Sequence, residues 1–372
     1  MKTIAIFSGY HLPHLGGIER YTDNLAKKLV NNGYKVIIIS SNYDFKNEYV
    51  RKEKNITYYL LPVRKLFVTR YPIVKNNEVT KTIVKELEKE KIDVIIVNTR
   101  FHLTTLFGAK YGKKHNIPVF LIEHGSQHLT VDNKILDYFG AKYEHFLTSI
   151  VKKYVNYYYG VSKEACNWQK HFKINSNGVW YNSINDFSKD VIITRNNKKI
   201  VFLYAGRILK QKGVYELLVS FSQLEKEYSN IELNIAGNGN YLDELKSEFV
   251  SPNIHFLGKL SFDELVKQYA RTNIFVYAPN WPEGLPTSIL EAGLIGCAVI
   301  SSPQGGNKEV IIDNETGLMV NNQKQLYIAA KKLIEDKKLR DKLSRNLKSK
   351  VINEFTWDNT SKKIIADINE RI

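Results

Sequence analysis

Short apolar runs rich in valine, isoleucine and tyrosine alternate with amphipathic stretches along most of the chain. In the first half the runs are Thr3–Ser8, Val36–Ser40, Ile56–Leu60, Val94–Val97, Val119–Ile122 and Tyr157–Val161. Each is of strand length, and helical periodicity fills most of the gaps, as at Ile18–Asn31 and Val79–Lys91. A polar, aperiodic stretch, Tyr181–Lys198, interrupts this order and reads as a linker. Alternation restarts with Ile200–Tyr204, Ile231–Ala236, Ile254–Leu257, Ile274–Tyr277 and Ala298–Ser301, with helical patterns over Asp263–Ala270 and Thr287–Leu294. Past Gln323 the chain reads as lysine-rich helices. Strands that are apolar on both faces and alternate with helices predict parallel sheets covered on both sides. The expected architecture is α/β, with two Rossmann-like, doubly wound domains over residues 1–185 and 186–355 and a final helix over 356–372. Such sheets bind ligands at the carboxyl ends of their strands, so the active site is expected in a cleft that both domains face.

Composition narrows the function. A chain of 372 residues is long enough for two cores, and no apolar run approaches the roughly 20 residues a bilayer span needs. The opening MKTIAIFSGY reads as a first strand rather than a signal peptide, and Cys166 and Cys297 lack metal-ligand spacing. Cytoplasmic location is the expectation. The formal charge of +16 suits an anionic partner: metabolite, lipid or nucleic acid. The absence of a zinc pattern, an RNA-binding aromatic signature or a dense basic arm argues against nucleic acid. A lysine-rich surface with no charged partner is the competing reading.

The chemistry concentrates in loops that follow strands. Glu283 and Glu291 stand eight positions apart, separated by Gly284-Leu285-Pro286-Thr287 and the start of an apolar helix. Pro286 suits a first helical turn, after which the N–H groups of Thr287, Ser288 and Ile289 form an anion site. A diphosphate flanked by hydroxyl-bearing rings fits donors of this kind set between two carboxylates. Arg207 and Lys212, five apart after another strand, can reach one diphosphate, with Lys210 as local competitor. Gly16 and Gly17 open a helix after the first strand and can present N–H groups to a phosphate, though a tight turn is the plainer reading. Gly237 lies in a glycine-rich turn that could border the donor's base or ribose or be no more than a turn, and Phe256–Leu260 could likewise line a base. His124, after a domain-one strand, can bond a sugar hydroxyl; His11, His14 and His128 read equally as structural or solvated. No D-x-D pair offers a metal clamp, and neither G-x-S-x-G nor H-E-x-x-H occurs.

Taken in order, these stretches resemble the retaining glycosyltransferases of the GT-B fold, family 4 (group 1). The matching pieces are Gly16-Gly17-x-Glu19, Ser176-Asn-Gly-Val179, Ala205-Gly-Arg207 with Lys212-Gly213, Ala236-Gly-Asn-Gly239 and Phe256-Leu-Gly258. They continue with Glu283-Gly-Leu-Pro, Glu291-Ala-Gly, Gly305-Gly-x-x-Glu309 and Phe355-Thr-Trp357. The resemblance implies a UDP- or GDP-sugar donor and no metal. It assigns the donor diphosphate to Arg207 and Lys212, the ribose to Glu291 and the transferred sugar to Glu283. Backbone groups of Gly284, Leu285, Pro286 and Thr287, with Gly16 and Gly17, would complete the cradle; His124 would bind the sugar near its reacting carbon. It also implies front-face attack through an oxocarbenium-like state, with the departing phosphate taking the acceptor's proton, so that Glu283 positions rather than attacks. The final helix would cross back to the first domain.

The acceptor side is less determined. Leu61–Lys75 mixes apolar residues with Arg64, Lys65, Arg70 and Lys75, a composition suited to an anionic bilayer surface or to a loop packed on its own core. The first option makes the acceptor a lipid-linked glycan at the cytoplasmic face of the membrane, in polysaccharide or glycoconjugate synthesis. Two other functions remain open at this point: a nucleotide-sugar epimerase of the same fold, and a non-catalytic basic protein that binds membrane or nucleic acid.

Overall fold

The structure is a computed structural model and describes residues 1–12, 14, 16–42, 48–64, 72–130, 133–195 and 198–372. Lys65 and Arg70 of the basic-apolar segment lie outside the described residues. The chain divides into two compact units, Met1–Tyr181 with Thr360–Ile372, and Asn182–Asn359.

The first unit is built on a sheet of β1 (Thr3–Phe7), β2 (Lys35–Ser41), β3 (Val50–Glu53), β4 (Ile56–Leu61), β5 (Val94–Asn98), β6 (Val119–Glu123), β7 (Tyr157–Gly160) and β8 (Gly178–Val179). Their spatial order is β3-β4-β2-β1-β5-β6-β7-β8. All pairings are parallel except β3 with β4. β1, β5 and β6 are buried along their whole length, as strands covered on both faces must be. Helices α1 (Gly17–Asn31), α2 (Glu78–Glu88), α3 (Leu103–His115), α4 (Lys134–Val151) and α5 (Lys163–Gln169) connect them. β3 departs from the expected all-parallel sheet. Its sequence, VRKE, carries no apolar run, and its mostly exposed, charged residues form a sheet edge that resists further pairing.

The second unit holds β9 (Ile200–Ala205), β10 (Ile231–Ala236), β11 (Ile254–Gly258), β12 (Ile274–Tyr277), β13 (Ala298–Ser301) and β14 (Leu318–Met319) in the order β11-β10-β9-β12-β13-β14, all parallel. Its helices are α6 (Val214–Leu224), α7 (Leu242–Glu248), α8 (Phe262–Arg271), α9 (Thr287–Leu294), α10 (Asn307–Val310), α11 (Gln323–Glu335) and α12 (Lys337–Glu354). Among its described residues, the aperiodic stretch after Tyr181 contains one short turn of 3₁₀ helix, Ser188–Asp190, and a single bridge between Ile184 and Thr356.

The last helix, α13 (Trp357–Arg371), begins in the second unit and belongs to the first from Thr360 onward. There Trp180 Nε1 donates to Asp367 Oδ2 at 2.7 Å, and Tyr21 Oη donates to the carbonyl of Trp180 at 3.0 Å. Each sheet reverses its strand order once, between β1 and β5 and between β9 and β12. Loops leaving those strands in opposite directions open a crevice at each reversal.

Candidate active site

In the second unit the strand-order reversal brings together the loop after β9, which carries Arg207 and Lys212, and the loop after β12, which carries Glu283. Lys212 is buried and its Nζ pairs with Glu283 Oε1. Tyr277, the last residue of β12, donates its hydroxyl to the same Oε1 at 2.6 Å. Burial, then the Glu283 charge, raises the Tyr277 phenol well above its usual range, so it stays a donor. Both anchors fall on one carboxylate oxygen, which leaves Oε2 to accept from a ligand. Arg207 is exposed and lies near the Tyr204 and Tyr277 hydroxyls; Tyr204 Oη donates to the Arg207 carbonyl at 2.8 Å and fixes the backbone there. Lys210 turns away, 3.7 Å from Glu244 and 4.9 Å from the Tyr241 ring centroid, so Lys212 is the inward-facing cation.

α9 supplies the anion site. It starts at Thr287, and Pro286 occupies the flanking cap position rather than the first turn. No side chain caps this end, so the first-turn N–H groups of Thr287, Ser288 and Ile289 point out of the helix toward its N-terminal side. Glu291 lies one turn in, buried, and its Oε2 accepts from Tyr269 Oη at 3.0 Å. Leu285 is buried, and its carbonyl accepts from Asn182 Nδ2 at 2.8 Å. The Glu283–Gly284 turn is fixed from below by Gly305, whose φ of 52° and contact with the Glu283 backbone leave no space for a Cβ; Gly306 N–H then donates to the Glu283 carbonyl at 3.1 Å. Gly237 stands at the end of β10, its N–H bonded to the Gly258 carbonyl at 2.8 Å, and Phe256 lies on the edge strand β11.

In the first unit, His124 follows β6. Its Nε2 is 2.8 Å from Asn98 Oδ1, and its ring packs edge-on to Tyr21 at 4.9 Å. Asn98 Nδ2 donates to Thr22 Oγ1 at 2.9 Å, so Oδ1 is the acceptor and His124 carries its proton on Nε2. Burial, helped by nearby His102, pushes the His124 pKa down to about 3. The ring is therefore neutral, with Nδ1 free to accept. The loop itself is held by a buried ion cluster. Glu123 Oε1 accepts the N–H groups of His124 and Gly125, each at 3.1 Å, while its Oε2 takes Arg100 at 2.7 Å. Arg100 also donates to Glu144 at 2.5 Å.

Gly17 opens α1 with free space around its Cα, whereas Gly16 is extended and packs against the Glu19 carboxylate, which lies 2.9 Å from His14. His11 is buried beside the Leu12 backbone, and among the described residues the buried hydroxyls of Ser8, Ser40, Ser41 and Thr99 have no partner. The four hydroxyl residues end β2 or directly follow β1 and β5, and His11 lies four residues past β1, at the reversal of the first sheet. Thr99 has a φ of 61°, a conformation that costs a β-branched residue energy. Buried polar atoms without partners are rare, and a group of them at strand ends marks a place for a polar ligand.

The description "Glycosyltransferase Family 4" matches residues 15–186, and "Glycosyl transferases group 1" matches residues 186–350. The chain belongs to this glycosyltransferase family. Among relatives of this glycosyltransferase, the uncharacterised glycosyltransferase MJ1069 of Methanocaldococcus jannaschii is 26% identical and covers 97% of this chain and 96% of its own. Sucrose-phosphate synthase of Thermosynechococcus elongatus has the same fold, with a TM-score of 0.77, 16% identity, and coverage of 100% of this chain and 99% of that one. HepE of Anabaena, solved in complex with UDP, also matches with a TM-score of 0.77, at 15% identity and full coverage of both chains. The fold is GT-B, as the resemblance implied.

Sequence reasoning missed the residues that hold this glycosyltransferase's polar groups in place. Tyr277 and Tyr269 anchor the two glutamates, and Asn98 sets the His124 tautomer. A signal existed for Asn98-Thr99-Arg100: three polar residues directly after the apolar run Val94–Val97, at a carboxyl end where ligands bind.

Proposed function

We propose that this glycosyltransferase is a retaining, metal-independent enzyme that moves a hexose-type sugar from a UDP- or GDP-sugar to a glycan or lipid-linked acceptor. The observation that carries the donor side is the Lys212–Glu283–Tyr277 cluster beside the uncapped N-terminus of α9. In this reading Lys212, Arg207 and the N–H groups of Gly284, Leu285, Thr287, Ser288 and Ile289 hold the diphosphate. Positive groups already in place where charge develops on the departing phosphate lower the barrier without reorganisation. They supply the charge that a divalent cation would otherwise bring, and the sequence has no D-x-D clamp to hold one. Glu291, fixed by Tyr269, accepts from the ribose. Glu283 Oε2 accepts from the transferred sugar, and His124 Nδ1 accepts from a hydroxyl near the reacting carbon. Gly17, with Gly16 beside it, admits the phosphates near α1. The UDP bound by HepE makes uridine the first carrier to try.

The reaction needs no carboxylate nucleophile. The acceptor oxygen bonds to the anomeric carbon on the face that the diphosphate leaves. The bond from that carbon to the phosphate oxygen breaks with its electron pair, and the acceptor proton passes to a phosphate oxygen. Glu283 is poorly suited to attack, because Lys212 and Tyr277 both stabilise its charge on Oε1.

An acceptor carried on an anionic bilayer fits the surface of α4. Ile135, Leu136, Tyr138, Phe139 and Phe146 are exposed there beside Lys134 and Lys142, on a chain of net charge +16. Among the described residues no helix is long and apolar enough to cross a membrane.

The test is slow hydrolysis and transfer from UDP- and GDP-sugars in excess chelator, with the anomeric configuration of the product read by NMR. Turnover in chelator with an unchanged configuration supports the proposal. Inversion, or turnover that requires a divalent cation, contradicts it.

A further inference from the structure

His128, His145 and His171 come from three different elements: the loop after β6, the middle of α4, and the short turn Lys170–Phe172 that follows α5. One ligating atom from each lies within 4.8 Å of the others. The Nε2 atoms of His145 and His171 face one another at 3.1 Å. Two imidazole nitrogens on one tetrahedral zinc ion, each about 2.0–2.1 Å from it, stand about 3.3 Å apart, close to the spacing seen here. Nδ1 of His128 is engaged by Glu144 Oε2 at 2.7 Å, which leaves Nε2 as its ligating atom. A carboxylate behind a ligating imidazole fixes its tautomer and raises its basicity. The His171 ring is stacked on Trp168 at 4.7 Å, and the His145 ring lies 4.7 Å from Phe172, so both planes are held.

We propose that His128, His145 and His171 form a transition-metal site of the zinc class, with a fourth position open to solvent. Three imidazoles and no ligating oxygen suit Zn²⁺, Co²⁺, Ni²⁺ or Cu²⁺ and not Mg²⁺ or Ca²⁺. His145 and His171 are exposed, so an ion reaches them from solvent and small side-chain rotations bring the third nitrogen into range. The ion is not asked to clamp the donor diphosphate, which the proposed function gives to Arg207, Lys212 and the start of α9. Its effect is mechanical. Glu144 bonds both His128 and Arg100, Arg100 bonds Glu123, and Glu123 holds the N–H groups of His124 and Gly125. Metal at the three histidines thus staples α4, the turn after α5 and the loop that carries His124.

The experiment uses tag-free, full-length protein stripped with chelator and titrated calorimetrically with ZnCl₂. One ion per chain at micromolar or tighter affinity is expected, with a rise in thermal midpoint, no heat from MgCl₂ or CaCl₂, and a tetrahedral absorption spectrum with Co²⁺. His145→Ala and His171→Ala, both at exposed positions, should melt like the wild type without metal. Each should weaken zinc binding by at least about tenfold. Absence of stoichiometric zinc binding by folded wild type overturns the proposal, and so does binding that persists undiminished in both variants. Should one variant fail to fold, the other and the cobalt spectrum still decide.

Discussion

The two glutamates of the second unit differ in how they are held. Glu283 carries a lysine and a tyrosine on one oxygen, while Glu291 is buried on α9 and carries a tyrosine from α8. A hydroxyl hydrogen bond to a charged group is worth about 1.5–3 kcal/mol. Tyr277→Phe should therefore lower kcat/KM by about tenfold or somewhat more while the protein stays folded, as steady-state kinetics beside a thermal melt would show. Glu283→Gln should reduce kcat by about a hundredfold and leave nucleotide affinity within a few-fold, because its free oxygen faces the sugar rather than the nucleotide in this account. Equal losses of nucleotide affinity and kcat would place Glu283 elsewhere. The glutamates and Lys212 were legible in the sequence because each sits in a short motif after a strand. Their tyrosine partners were not: Tyr277 ends a strand, Tyr269 ends a helix, and nothing in the local pattern says which carboxylate either one meets.

At the scale of elements, the loops after β12 and β13 rest on one another's backbones. Gly305, after β13, supports Glu283 after β12 with no space for a methyl group and with a left-handed φ. Gly258 also has a positive φ, 69°, but nothing lies within 4 Å of where its Cβ would stand. Gly258→Ala should cost only the backbone strain, about 1 kcal/mol in a denaturant titration, and spare nucleotide binding. Gly305→Ala should cost several times more and abolish binding. Comparable, small effects at both would show that the Glu283 turn does not depend on its support. Strand periodicity read the eleven longer parallel strands to within a residue or two at most ends. It missed β3, where charge hides a strand paired only on one side, and the two-residue strands β8 and β14, which are too short to show a period. Pro286 fell one position earlier than the helix-start rule suggested, which leaves the anion site of α9 as expected in kind.

For the whole molecule, charge and burial make two predictions. His11 is buried, and its pKa falls from 6.5 to about 4, chiefly through burial, with Arg51 lowering it further and Asp23 opposing. A lowered histidine pKa means that the unfolded chain binds the extra proton first. Stability is then full above pH 6.5 and falls as pH drops through the window toward about 4, by about 1 kcal/mol per pH unit from this one group. His11→Leu should flatten that part of the pH profile of the thermal midpoint. An unchanged slope would mean that His11 is protonated at little cost. The exposed apolar residues of α4 predict co-sedimentation with vesicles containing anionic lipid, weakened by salt and lost in Ile135→Glu/Phe139→Glu. Binding to neutral vesicles alone, or no effect of the double substitution, would remove α4 from the account.

The central claim is that the loops after β9 and β12 and the start of α9 form a metal-free nucleoside diphosphate site. Calorimetric titration of UDP, GDP and ADP in chelator, into wild type and Glu291→Ala, tests it most directly. The account predicts micromolar binding of one of the three that is lost, or weakened by at least about tenfold, in the variant. Folded wild-type protein that binds none of them without metal, or a variant that binds as tightly as wild type, would contradict it.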